Sequence, residues 1–328
     1  MKNILITGGA GFIGSNIASF HLLRGDNVWV IDDLSSGRLQ NIAELRKNPN
    51  FVFEEGAVQD WLNLNRAVDW ADYIYHMAAV IGQRLVISSP VRTVTNNVGC
   101  LQKVLEAMAE SKKKNRLILA SSSCVYSHTP PAEDTLLYEE APLTFLSNEP
   151  LQITYSISKL FDEVLTNSFV LEKGIDCVIA RIFNTIGINQ RSRYGMVVPN
   201  FIKQAINNEP ITVFGSGEQS RAFINVRDTV NALFLLLENP DTKGLVVNVG
   251  SNECCSINQL AELVRNKVNC YSEIRHIPYK EAYGIDFIDV EQRCPSIKRL
   301  QSLTGFLPQW TLEKTIEDLV KIEQFTKI

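Results

Sequence analysis

ILITGGAGFIG, residues Ile4 to Gly14, is the stretch that decides the fold. An apolar run, Ile4 to Ile6, enters a loop with glycines at 8, 9, 11 and 14, and the apolar spacing then becomes helical through Phe12, Ile13, Ile17 and Ala18. This is a strand, a tight turn and a helix start. Glycines suit such a turn because the backbone must approach a pyrophosphate, and a helix N-terminus offers that anion unpaired N–H groups and the positive end of a dipole. A second strand, Val28 to Ile31, ends in Asp32 and Asp33. An acidic side chain there accepts hydrogen bonds from the adenosine ribose and repels a 2′-phosphate. The stretch therefore predicts a dinucleotide site that takes NAD in preference to NADP, with Gly8, Gly11, Phe12, Ile13, Gly14, Asp32 and Asp33 around the cofactor.

Working outward, strand-like runs recur between helical patterns at Ile4 to Ile6, Val28 to Ile31, Phe51 to Phe53, Tyr73 to His76, Leu117 to Ala120 and Cys177 to Ala180. Such alternation predicts an α/β fold: a Rossmann-type, doubly wound parallel sheet, with a smaller C-terminal substrate-binding domain. Ligands then lie at the carboxyl ends of the strands, where the glycine loop, Asp32, Gly56, Ala78 with Ala79, Ser121 to Ser123 and Asn184 stand. After about residue 185 the pattern loosens, with Pro199, Gly215 and Gly217 as breakers, before an amphipathic stretch at Val230 to Leu237. The expected division is a cofactor domain over residues 1–184, rejoined by segments at about 220–250, and a mainly substrate-binding part over 185–328.

Composition excludes several classes. No long apolar run spans a membrane, and Met1 leads straight into the first strand, so a signal peptide is not expected and the cytoplasm is the expected location. The seven cysteines are scattered without a CxxC pair, which indicates neither a disulfide framework nor a zinc site. A net charge of −4 gives no basic excess, so nucleic acid is not an expected partner.

Two further stretches carry chemistry. In TYSISK, Thr154 to Lys159, four-residue spacing puts Tyr155 and Lys159 on one helix face. Tyrosine, with an ordinary pKa of about 10, is a poor base near neutrality unless a cation stabilises its phenolate, and Lys159 is placed to do so. After the fifth strand, SSSCVY, Ser121 to Tyr126, supplies hydroxyls that can orient a substrate oxygen.

Together, TGGAGFIG, DDLSSG, HMAA at His76 to Ala79, Asn97, SSSCVYS, YSISK, RIFNTIG at Arg181 to Gly187, RYGMVVPNFI, ITVFGSGEQSRAFINVRD and YGIDFIDVEQRCPSI resemble the extended short-chain dehydrogenase/reductases, specifically the nucleotide-sugar epimerases and dehydratases. The resemblance covers nearly the whole chain. It implies that NAD removes and returns hydride, usually at the sugar C4, while Tyr155 takes the hydroxyl proton, Lys159 holds the nicotinamide ribose and Ser122 bonds the reacting oxygen. Val58, Ala78, Ala79 and Asn97 are implied at the cofactor. Arg84, Ser123, Asn184, Arg193 and Val198 are implied at a nucleotide-diphosphate sugar, with Arg221 and Arg293 on its diphosphate, where guanidinium forks match phosphate oxygens. Arg191, in the loop after RIFNTIG, is expected near the sugar and its phosphates as well. A homodimer is implied through helices at about Pro90 to Ala109 and Tyr155 to Leu171; the stripe Leu101, Val104, Leu105 and Met108 suits that contact and packing on the sheet equally.

Two departures matter. Ala57 stands where the family usually has an acidic residue after the third strand. Ser123 and Cys124 stand before Val125-Tyr126, where 4,6-dehydratases carry an Asp-Glu pair and nucleotide-glucuronate decarboxylases a Glu. A serine and a thiol of ordinary pKa about 8.5 cannot replace carboxylates in water elimination near neutrality, which argues against a 4,6-dehydratase. The favoured function is a UDP-sugar 4-epimerase working through a transient 4-keto sugar, with Tyr155, Lys159 and Ser122 catalytic. Three alternatives stay open: a UDP-glucuronate decarboxylase, to which VEQRCPSI is similar; a 3- or 5-epimerase using Cys124 on an acidified proton; and a non-catalytic dinucleotide-sensing protein.

Overall fold

The computed structural model describes residues 1–132, 136–147, 153–192, 196–284 and 289–326, without the side chains of residues 83, 84, 283 and 326. The six expected strands are present, each within two residues of its predicted bounds: β1 (Asn3–Thr7), β2 (Asn27–Asp32), β3 (Phe51–Glu55), β4 (Tyr73–His76), β5 (Arg116–Ser122) and β6 (Asp176–Ile182). Later strands are β7 (Asn184–Ile186), β8 (Ile211–Phe214), β9 (Ser220–Asn225), β10 (Val246–Val249), β11 (Cys254–Ser256), β12 (Ile274–Ile277) and β13 (Gln292–Arg293). One seven-stranded parallel sheet runs in the order β10-β6-β5-β4-β1-β2-β3. The winding changes direction between β1 and β4, and a crevice at the carboxyl ends of strands at such a point is where open α/β sheets bind ligands.

The strands read as continuous apolar runs because both faces are covered. Alternate residues feed opposite cores: Ile4 and Ile6 of β1 join Val28, Val30, Leu233 and Leu236 on one face, while Leu5 joins Ile74, Leu101, Val104 and Leu105 on the other. The stripe Leu101, Val104, Leu105 and Met108 of helix Pro90–Glu110 is thus spent on the sheet. Helix Val226–Glu238 packs on helix Phe12–Leu23, and helix Lys298–Thr304, packed on β10 and on helix Val226–Glu238, closes the same face. A third core, around Val198, Phe201, Ile211, Leu260 and Ile316, holds the smaller layer together.

That layer is organised by β9. It pairs with β7 and β13 in parallel and with β11 antiparallel, which brings Asn184, Arg221 and Arg293 together from three distant parts of the chain. The same pairing overturns one expectation from the sequence. Cys254 of β11 and Cys294, next after β13, form a disulfide with their Cα atoms 6.2 Å apart. Sequence spacing could not disclose it, because the two cysteines meet only through strands on opposite edges of β9. No described helix is long and apolar enough to cross a membrane.

Packing at these depths has a measurable consequence. Ile118, fully buried in β5, is expected to cost about 2–5 kcal/mol on truncation to alanine, whereas Leu62→Ala, at a wholly exposed position, should stay within about 0.5 kcal/mol in urea unfolding. A second consequence concerns pH. His76 ends β4 with Nδ1 2.9 Å from Thr7 Oγ1, and its burial, helped by the charge of Lys159, lowers its pKa to about 3. The unfolded chain takes up this proton at about pH 6.5, the folded one only near 3, so the stability it contributes is complete above pH 6.5 and drains away as pH falls towards 3. Urea unfolding of wild type should lose about 2 kcal/mol more than His76→Gln between pH 7 and pH 5.

Candidate functional site

The glycine loop leaves β1 at Gly8, whose φ of +71° favours glycine. A Cβ on Gly14 would stand 2.3 Å from the Gly8 carbonyl oxygen, and one on Gly8 would stand 2.7 Å from the Ala78 nitrogen. The loop therefore lies directly against the segment after β4, where Ala78 and Ala79 are found. Helix Phe12–Leu23 starts on Gly11 with no side-chain cap, which leaves its first N–H groups available to an anion. Asp32 is buried beneath the loop, accepting from the N–H groups of Ala10 at 2.9 Å and Leu34 at 2.8 Å; burial raises its pKa and these bonds oppose the rise. Asp33 is exposed beside it. The bare glycine cradle, the uncapped helix start and the carboxylates after β2 fit a dinucleotide.

Arg191 lies in the loop after β7. The loop that carries it leans on helix Phe12–Leu23, with Asn16 Nδ2 bonding the Ile188 carbonyl and Asn189 Nδ2 bonding Ser15 Oγ, and Arg191 lies close enough to Arg38 to lower its pKa, after burial. Arg38 in turn donates its backbone N–H to the Ala10 carbonyl of the glycine loop. Two cationic side chains thus lie close enough to feel each other near the cofactor loop.

The reacting groups meet where β5 ends. Ser122 caps the 3-10 turn Ser123–Tyr126, its hydroxyl accepting from the Cys124 N–H at 3.2 Å, and its side chain also hydrogen-bonds Tyr155, which opens helix Thr154–Lys173. Tyr155 keeps some surface open, but its phenol is deeply enclosed. Burial first, and the neighbouring Cys124 second, push its pKa up, and Ser122 pulls it down. Lys159, four residues on, is buried with its ammonium 3.1 Å from Asp162 Oδ2. Behind them Glu163 receives Nε and Nη2 of Arg181 at 2.9 and 2.8 Å and the hydroxyl of Ser121. Asn97 links the two halves, accepting from the Val80 N–H at 2.7 Å and donating to Ser158 at 3.1 Å.

Across the turn lies a cluster of positive charge. Arg293 Nη1 is 3.7 Å from Cys124 Sγ, and its Nε is buried without a hydrogen-bond partner among the described residues. Arg221, opposite Arg293 in the β9–β13 ladder, bonds Asp289 at 2.7 Å; its pKa is lowered by burial, with Asp289 opposing and Arg293 adding to the shift. Two guanidinium groups for one carboxylate leave this side of the turn cationic.

Other predicted residues are placed less directly. Asn184 Nδ2 bonds the Ala222 carbonyl at 3.1 Å, Ser123 is buried in the turn, and Val58 is buried in the 3-10 turn after Ala57. Val198 is wholly buried in the third core, so only its main chain is available to a ligand. Arg193 and the side chain of Arg84 lie outside the described residues. Sequence reasoning passed over Asp162 and Glu163, although their i+3 and i+4 spacing from Lys159 puts them on its helix face.

Residues 4–250 match the model of the NAD dependent epimerase/dehydratase family. The chain is 29% identical to a UDP-N-acetyl-alpha-D-glucosaminuronate decarboxylase of Bacillus cytotoxicus, covering 98% of this chain and 97% of that one. Among solved structures it is similar to a UDP-glucose 4-epimerase of Thermotoga maritima holding UDP-glucose, with TM-score 0.88, 26% identity and coverage of 99% and 100%. It is also similar to a UDP-glucuronic acid 4-epimerase of Bacillus cereus holding UDP-glucuronic acid and NAD, with TM-score 0.85, 26% identity and coverage of 98% and 99%. With a cradle that fits a dinucleotide and a family match over most of its length, this chain belongs to the NAD-dependent epimerase/dehydratase family.

Proposed function

We propose that this protein is a UDP-sugar 4-epimerase that works through a transient 4-keto sugar. The observation that carries this is the Ser122–Tyr155 hydrogen bond facing a turn whose next two side chains, Ser123 and Cys124, are not carboxylates. Gly8 to Gly14, Asp32, Asp33, Val58, Ala78, Ala79 and Asn97 would hold NAD, with Arg38 and Arg191 near its diphosphate. When bound there, NAD supplies a hydride acceptor and donor for the sugar carbon. Tyr155 takes the proton of the sugar hydroxyl and later returns it, and Ser122 orients that oxygen. Arg221 and Arg293 grip the diphosphate, so the keto-sugar can turn and offer its other face without leaving the site. Residues 1–184, with segments near 220–250, form the cofactor half, and 185–328 carry most of the nucleotide-sugar contacts.

Decarboxylation of a UDP-uronate is the second possibility, supported by the decarboxylase relative that aligns with 98% of this chain. A 4-keto group makes the acid a β-keto acid, whose loss of carbon dioxide needs no carboxylate base. A proton abstraction at C3 or C5 by Cys124 is a third, supported by the approach of Arg293 to its sulfur.

Incubation with UDP-, GDP- and CDP-sugars separates these outcomes. Epimeric product without gas supports the proposal, carbon dioxide indicates the decarboxylase, deuterium uptake from heavy water indicates Cys124 chemistry, and no turnover refutes an enzyme role. Tyr155→Phe is expected to lower kcat by about 10²- to 10⁴-fold, and Arg293→Ala to raise KM about 10- to 100-fold.

We further propose a homodimer through the outer faces of helices Pro90–Glu110 and Thr154–Lys173. These helices pack on each other and expose Val91, Val94, Ile157, Phe161 and Val164, an apolar set that a second copy would cover. Light scattering should give twice the chain mass for wild type and the single mass for Phe161→Glu/Val164→Glu; a monomeric wild type refutes the dimer.

A further inference from the structure

Arg221 is held on two of its nitrogens before any ligand arrives. Its side chain is 10% exposed, with Nη2 2.7 Å from Asp289 Oδ1 and Nη1 2.8 Å from the Ser220 carbonyl. Asp289 in turn has both oxygens bonded. Oδ1 also accepts from the Val290 N–H at 2.9 Å, and Oδ2 accepts from the Tyr279 hydroxyl at 2.8 Å. Tyr279 opens helix Tyr279–Tyr283, and its oxygen accepts from Gln219 Nε2 at 2.9 Å, a nitrogen that also reaches the Phe214 carbonyl at 3.0 Å. The tyrosine ring is seated against Gly215, where a Cβ would stand 2.5 Å from it. A chain of contacts thus runs from the end of β8, through Gln219 and Tyr279, to the carboxylate before β13 and the guanidinium on β9.

Charge alone does not account for that carboxylate. An anion beside an arginine cancels part of its pull on phosphate, so a site needing attraction only would leave the arginine uncompensated. Arg293, opposite Arg221 in the ladder, supplies such attraction, its Nε having no hydrogen-bond partner among the described residues. What Asp289 supplies to Arg221 is direction. An arginine side chain has many rotamers, and one whose fork is fixed beforehand loses less entropy when it closes on phosphate oxygens. We infer that Asp289 is a positioning residue which, with Tyr279 and Gln219 behind it, aims the Arg221 fork at the diphosphate of a nucleotide-sugar. This rests on the diphosphate site proposed above.

The test is titration calorimetry of UDP, GDP and CDP into the full chain loaded with NAD. Asp289→Ala is expected to weaken the tightest of the three by about 10- to 100-fold. Asp289→Asn, which keeps an oxygen for Arg221 and Val290, is expected to recover most of that loss. Tyr279→Phe should weaken binding about 2- to 10-fold, and it carries the test if Asp289→Ala does not purify folded. In an Arg221→Ala background each change is expected to weaken binding by less than about 2-fold, because each acts through the guanidinium. Asp289→Ala binding as tightly as wild type, or more tightly, overturns the inference and leaves the carboxylate a counter-charge. Equal weakness in Asp289→Ala and Asp289→Asn overturns it too, as does a loss that stays as large once Arg221 is gone, the mark of a general structural role. A wild type that binds no nucleoside diphosphate overturns the inference together with the nucleotide-sugar reading, whereas wild-type binding with unmoved variants overturns the inference alone.

Discussion

The bidentate pair between Arg181 and Glu163 is the interaction on which the placement of the reacting groups depends. Arg181 belongs to β6 and Glu163 to helix Thr154–Lys173, so the pair pins the helix to the sheet at a fixed rotation. Tyr155 and Lys159 lie two turns and one turn before Glu163, and they inherit that rotation. Ser121, donating to the same carboxylate, fixes the end of β5, and the next residue is Ser122. The Arg181 guanidinium also lies 4.9 Å from the Tyr126 ring centroid, and Tyr126 bonds Asn248 of β10 at 2.7 Å. A buried charge pair is weak evidence for stability, since well-packed apolar groups often serve as well, but removing one partner alone typically costs about 3–5 kcal/mol. Its contribution here is geometric: one carboxylate holds three segments in register beneath the Ser122–Tyr155 hydrogen bond.

The layout of the sheet was legible because both of its faces are buried. Continuous apolar runs bounded by turn residues located β1 to β6 closely, and the polar residues at their ends pointed to one edge. Spacing along a single helix was legible too, since TYSISK puts Tyr155 and Lys159 on one face. Which neighbour a side chain chooses was not. Four-residue spacing brings Lys159 near Tyr155, but a rotamer decides that its ammonium bonds Asp162, three residues on. The smaller layer was the least legible part, because β9 recruits partners from far apart in the chain. The Arg221–Arg293 pairing, the Cys254–Cys294 bridge and the seat of Asn184 beside Ala222 are all products of that register. No local pattern in the sequence encodes it.

Register also explains how the cationic wall is built and kept. Arg221 and Arg293 stand opposite one another in a ladder, where like charges side by side are unfavourable. Asp289 offsets only one of them, and Nε of Arg293 stays buried without a partner among the described residues. Such an arrangement is costly in the free protein, and on the proposed function the diphosphate of the nucleotide-sugar relieves it. The disulfide helps to hold the arrangement against that repulsion: β13 is two residues long, and the residue after Arg293 is covalently tied to β11 on the far edge of β9. Cys124 lies against the same guanidinium. On the proposed function, the grip on the diphosphate and the surroundings of the reacting carbon are therefore set by one short strand, and a change in the seat of Arg293 alters both together.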